Sequence, residues 1–150
     1  MTGFPDLPPI WAAATAVVAI LAGKFVPILG FPTSKALSTV LVLLGFSLII
    51  CSAYYFFKKK TSIEPHHTPS SLIVEGPFRI SRNPIYLGML IGLLGLATWS
   101  GALSSLLLVF IFPLVINRRF IAQEEEVLRR EFGDEADAYL NSTSRWIFGF

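Results

Sequence analysis

Two long intervals of this chain contain no Asp, Glu, Lys, Arg or His. The first spans 22 residues between Lys35 and Lys58, and the second spans 35 residues between Arg82 and Arg118. A soluble domain carries about 25% charged residues, spread along its length. Here the share is 15%, with 53% hydrophobic residues and a mean hydropathy of +0.64. A bilayer core is crossed by roughly 20 apolar residues of helix. The first interval fits one span, from about Lys35 to Phe57, with Thr33 and Ser34 as caps and Lys58, Lys59 and Lys60 at its end.

The second interval is too long for one span, at about 52 Å of helix. Trp99, Ser100 and Gly101 sit at its centre and read as a turn. The expectation is a tight hairpin, Pro84–Thr98 and Ala102–Ile116. Gly88, Gly92 and Gly95 lie near one face of its first arm, where small residues permit close helix approach. The stretch from Ile10 to about Leu29 reads as a retained first span. Asp6 and the lack of Lys or Arg before it argue against a secretory signal. The chain is therefore expected to be all-α, with about four spans and a cytoplasmic C-terminal helix. It reads as one domain, with two N-terminal spans in residues 1–60 and a cofactor-binding region in 61–150.

Of the 12 Lys and Arg, all but Lys24 and Lys35 lie after the second span or beyond the fourth. The positive-inside rule places those regions in the cytoplasm. The polar segments 58–82 and 117–150 then share one membrane face, and a reaction centre is expected there. The net charge of +2 is too small to argue for nucleic acid, and the single cysteine, Cys51, permits no disulfide within the chain.

Three groups of residues bear on chemistry. In the first, the β-prone run Leu72-Ile73-Val74 leads through Glu75-Gly76-Pro77-Phe78 to Asn83-Pro84. Asn83 reads as a helix cap and Pro84 as the first helical residue. Free N–H groups at such a start attract anions, and Arg79 and Arg82 add to that field. The plain alternative is that Asn83-Pro84 only starts a span. In the second group, Glu124-Glu125-Glu126 stand before Arg129 and Arg130. Glu125–Arg129 and Glu126–Arg130 have the spacing of helical ion pairs. Glu124 differs, because its helical neighbours are Phe120, Ile121, Val127 and Leu128. A carboxylate on an apolar face is costly unless paired, and a bound cation is one such partner. The third group, His66-His67, lacks further ligands nearby, so no metal site is expected. There is no Gly-rich phosphate loop and no G-x-S-x-G, and neither Ser70-Ser71 nor Ser104-Ser105 has a positioned base.

Taken together, Leu72-Ile73-Val74, Gly76-Pro77-Phe78, Arg82-Asn83-Pro84-Ile85-Tyr86 and Glu124-Glu125 with Leu128, Phe132 and Gly133 resemble the isoprenylcysteine carboxyl methyltransferase and phospholipid methyltransferase superfamily. Tyr139 and Arg145-Trp146 resemble its tail. The resemblance implies an integral membrane methyltransferase using S-adenosyl-L-methionine at the cytoplasmic face. The residues it implies for the cofactor are Ser71, Leu72, Ile73, Val74, Gly76, Phe78, Arg82, Asn83, Pro84, Tyr86, Glu124 and Glu125. Glu124 would hold the cofactor's positive end. The acceptor would be lipophilic or amphiphilic, either prenylcysteine carboxylate-like or phospholipid amine-like, and drawn from the surrounding lipid.

The chain departs from the pattern in three places. Asn83 stands where prenylcysteine enzymes carry His, Ala136 replaces a common tyrosine, and Phe120 replaces an arginine associated with the substrate carboxylate. Arg118 and Arg119 are the remaining substrate-side candidates. The alternatives are an NADPH-dependent membrane reductase of the sterol reductase type, or a non-catalytic membrane scaffold.

Overall fold

The computed structural model describes residues 6–62 and 68–147. His66 and His67 lie outside the described residues. Helix α1 covers Pro8–Phe25, α2 covers Lys35–Lys59 and α3 covers Pro84–Ser100. A rod then runs from Leu103 to Phe132, made of α4 (Leu103–Val109), α5 (Ile111–Ile116), a π-helical segment (Asn117–Ile121) and α6 (Ala122–Phe132). Helix α7, Asp134–Ser142, follows a turn at Gly133. Among the described residues there is no strand. The β-prone run at Leu72 is irregular, with no strand among the described residues to pair with it.

Three helices are long and apolar enough to cross a membrane: Pro8–Phe25, Lys35–Lys59 and Leu103–Phe132. Helix α3 is also apolar but has only 17 residues. The first helix ends at Phe25, short of the expected Leu29, whose φ of 46° belongs to the connection. The α2 limits match expectation, and its cap is Ser34, whose Oγ accepts from Leu37 N–H at 3.3 Å.

The hairpin turns at Gly101, while Trp99 and Ser100, expected in the turn, are the last residues of α3. Gly101 has a φ of +67°, a left-handed conformation that glycine adopts without steric penalty. The α1–α2 connection docks on that turn. Phe31 N–H donates to Gly101 O at 2.9 Å, and Leu103 N–H donates to Ile28 O at 3.0 Å. Within the second arm, Pro113 has no N–H for the carbonyl of Val109, and the helix breaks between them at Phe110.

Helix α3 sits at the centre and packs on α1, α2 and α4. Its closest approach is to α2. A Cβ added at Gly88 would lie 2.6 Å from Gly45 O, and one added at Gly95 would lie 2.9 Å from Ser38 O. Only glycine permits that spacing. The rod buries Val109, Phe112, Ile116, Phe120 and Ile121 against Tyr86, Leu87, Leu93 and Ala97. At the end away from Gly101, Ile73, Phe78, Tyr139 and Leu140 form a second core with Tyr55 and Phe56. The two polar segments meet there.

Candidate active site

The loop before α3 is anchored to the end of α2. Lys59 Nζ donates to Glu75 at 2.6 Å and holds that carboxyl below its usual range. The hydroxyls of Ser70 and Ser71 donate to the carbonyls of Lys60 and Lys59, at 3.1 and 3.2 Å. Gly76 has a φ of +59°, and a Cβ there would strike the Tyr55 ring. The turn that follows buries Phe78, whose carbonyl accepts from Tyr139 Oη at 2.8 Å. Alternation of anchors and turns thus lays Ser71, Leu72, Ile73 and Phe78 along one wall of a cavity of about 460 Å3. That volume lies within the range of sites that enclose a small organic ligand.

Arg82, Asn83, Pro84, Tyr86, Glu124 and Glu125 line the same cavity. So ten of the twelve residues expected on the cofactor side are brought together: Ser71, Leu72, Ile73, Phe78 and these six. Val74 and Gly76 are not among the lining residues. Val74 turns outward, and Gly76 serves the turn against Tyr55. Arg118 and Arg119 are also absent from the lining and are exposed. Phe120 is buried in the core.

Glu124 is half-buried and lines the cavity. Tyr86 Oη donates to its Oε1 at 2.5 Å. Glu124 lies in the polar segment beyond the apolar part of the rod. Burial raises its carboxyl above the ordinary range, the Tyr86 hydrogen bond opposes this, and the Glu125 charge adds to it. A neutral hydroxyl satisfies one oxygen but does not compensate a charge.

Glu125 corrects the expected helical pair with Arg129. It is buried, and its two oxygens accept from Arg145 Nε and Nη2 at 2.8 and 2.7 Å. Arg82 Nη1 lies 3.1 Å from Oε1. Burial raises this carboxyl, but the Arg145 hydrogen bond and the charges of Arg82 and Arg145 outweigh it and hold it low. Arg129 pairs instead with Asp137 and Arg130 with Glu131, each at 3.1 Å. A fork-to-fork buried pair is shorter and stronger than an exposed helical one.

Asn83 is the second correction. It occupies the cap position, but its side chain makes no cap bond. Its Nδ2 donates to the Arg145 carbonyl at 3.2 Å, and Ser81 Oγ donates to the same oxygen at 2.8 Å. Arg82 N–H donates to Ser144 O at 2.9 Å. Helix α7 ends at Ser142, and the residues that follow it strap the site. Trp146 Nε1 reaches Asn117 Oδ1 at 3.1 Å. Arg82 Nε is buried with no hydrogen-bond partner at the cavity wall.

The remaining lining comes from α1 and α2. Leu7, Pro8, Pro9, Ile49, Phe56 and Met89 give one side of the cavity an apolar wall. No local pattern marks Leu7–Pro9 as part of a site, because the contact is made across the fold. Arg145 carried one signal, its place in the tail resemblance.

These features define a membrane-associated helical protein with a mostly apolar cavity and one uncompensated carboxylate. The phospholipid methyltransferase family matches residues 33–135. The chain belongs to that family, and by that membership is a membrane methyltransferase. It is also 43% identical over 63 residues to an uncharacterized protein of Haemophilus influenzae. That alignment covers 42% of this chain and the whole of the relative. No solved structure matches the chain.

Proposed function

We propose that the protein transfers a methyl group from S-adenosyl-L-methionine to a lipid-borne acceptor on the cytoplasmic face. The observation that carries this reading is Glu124, a cavity carboxylate whose partner is the neutral hydroxyl of Tyr86. It suits a ligand bearing positive charge. The apolar surfaces of Leu72, Ile73 and Phe78 suit a flat aromatic group, and the buried Arg82 Nε offers a free donor. When bound, the cofactor supplies an electrophilic methyl group on a sulfonium centre. Glu124 attracts that cationic region, Tyr86 fixes the carboxylate, and the apolar lining excludes water. Transfer of that methyl group to the acceptor's nucleophilic atom would release S-adenosylhomocysteine, and it would ask of Tyr86, Glu124 and the apolar wall positioning rather than a covalent nucleophile.

Charge within the cavity favours one acceptor class. Among its described lining residues the only cation is Arg82, and it is engaged by Glu125. With Arg118 and Arg119 outside, no cation beyond Arg82 is left to hold a substrate carboxylate. A phospholipid amine-like head fits better than a prenylcysteine carboxylate. The same count disfavours a polyanionic cofactor such as NADPH, since Arg145 is also committed to Glu125.

Calorimetry of the detergent-purified protein with S-adenosylmethionine, S-adenosylhomocysteine and NADPH tests the cofactor. Binding of the first two is expected, and binding of NADPH alone overturns the reading. Incubation with methyl-labelled cofactor and membrane lipids tests the acceptor. Alkali-stable label is expected for methylated nitrogen, whereas alkali-labile label identifies a methyl ester and refutes the amine class.

A further inference from the structure

The chain enters α1 through Asp6-Leu7-Pro8-Pro9. Leu7 is extended, and the prolines occupy the first helical positions, so the entry direction is fixed. Leu7, Pro8 and Pro9 belong to the wall of the cavity that holds Tyr86 and Glu124. The far end of α1 is held inside the bundle, where the Ser105 hydroxyl donates to Ala19 O at 2.8 Å. The near end is held by charge. Arg119 donates through Nε and Nη2 to the two Asp6 oxygens, at 2.7 and 3.1 Å. Trp11 Nε1 donates to Asp6 Oδ1 at 3.2 Å, and the Arg119 guanidinium lies 5.1 Å from the Trp11 ring centroid. Two long-range contacts thus bind the segment adjoining the cavity wall to the π segment that leads into Glu124.

We propose that Arg119 is a specificity-determining residue, which through Asp6 and Trp11 holds the Leu7–Pro9 wall in place and sets the width of the apolar side of the cavity. The identity of what enters rests on the methyltransferase reading; the latch is a property of the chain. The Arg119 side chain is 50% exposed and that of Asp6 16%. An exposed ion pair of this kind is weak and reversible. The buried Arg82–Glu125–Arg145 node is neither, so the two sides of the cavity differ in how readily they yield. A wide acceptor can displace the Leu7–Pro9 wall while the side built by Arg82 and Asn83 stays fixed.

The test places a single thiol on that wall, by Pro8→Cys in a Cys51→Ala background. Pro8 is buried, so the thiol should react slowly with a small maleimide. Arg119→Gln should raise that rate about 2- to 5-fold, the range open to an exposed pair. It should change the affinity for dansyl-phosphatidylethanolamine by a similar factor and leave S-adenosylmethionine affinity unaltered. The swapped pair, Asp6→Arg with Arg119→Asp, should restore both values. Unchanged labelling and lipid affinity in Arg119→Gln overturn the latch, as does a swapped pair that behaves like the single variant. If the parent protein fails to bind S-adenosylmethionine, the cofactor reading falls, and the labelling rates still decide the latch.

Discussion

Glu124 and Glu125 are neighbours on one helix, yet they build opposite kinds of site. Around Glu125 the carboxylate is fully compensated. Two arginines meet one buried carboxylate, and the backbone of Arg145 takes up the side chains of Ser81 and Asn83. Around Glu124 the compensation is incomplete, with a single hydroxyl from Tyr86. One step along an α-helix turns a side chain by about 100°. That step moves the carboxylate from a closed ionic node to a cavity wall. The node supplies rigidity, and the wall supplies unspent attraction for a cation. Substitutions at the two positions should therefore damage different properties.

The largest effect is expected at the node. Glu125→Leu leaves Arg82 and Arg145 without their carboxylate, and breaking a buried ion pair from one side costs about 3–5 kcal/mol. Thermal unfolding in detergent should show a large loss of stability with or without cofactor. A variant as stable as the parent would remove the structural half of the comparison.

Next comes Glu124→Gln. The amide keeps an oxygen for Tyr86, so stability should change little. A charge-assisted contact to the cofactor should be lost, worth roughly 1.5–3 kcal/mol, or about 10- to 150-fold in affinity. Calorimetric titration with S-adenosylmethionine checks it. Normal binding by this variant would take the cofactor's positive end away from Glu124.

Acidification should sharpen the same contrast. Glu124 has a raised carboxyl pKa in the free protein, and Glu125 a lowered one. A cationic ligand binds the ionised form of Glu124. Affinity should thus be full above that raised pKa and fall as pH drops through it, beginning above the ordinary glutamate value. At that pH the Glu125 node is still ionised and the fold intact. The check is affinity and unfolding measured together along a pH series. Glu124→Gln should show no such decline.

How much of this could be read from the chain depended on distance along it. The long apolar helices and the hairpin were legible because they follow from local facts: two charge-free intervals and a glycine at the turn. The isolation of Glu124 was legible because its helical neighbours are apolar within four residues on either side. The partners of Glu125 were not. Arg129 stands at the correct helical spacing, but Arg145, 20 residues on, reaches the carboxylate with two bonds in a buried setting. Asn83-Pro84 reads locally as a cap, whereas the carboxamide is captured by a carbonyl 62 residues away. Arg119 and Asp6 are separated by 113 residues. Local spacing states which contacts are possible, and tertiary packing decides between them.

The smallest effect is expected at Glu126, and it tests whether position on the helix matters at all. Glu126 is exposed, two helical steps from Glu124 and on neither the cavity wall nor the node. The arginine four residues on, Arg130, pairs with Glu131 instead. An exposed helical charge contributes about 0.3–0.5 kcal/mol at most. Glu126→Gln should therefore unfold and bind S-adenosylmethionine like the parent, within experimental error. This variant removes the same charge as Glu124→Gln, from the same helix, three ångströms of axial rise away. If it weakened binding as much, the effect at Glu124 would reflect only the summed negative field of the helix. A normal Glu126→Gln beside a damaged Glu124→Gln assigns the contact to one carboxylate.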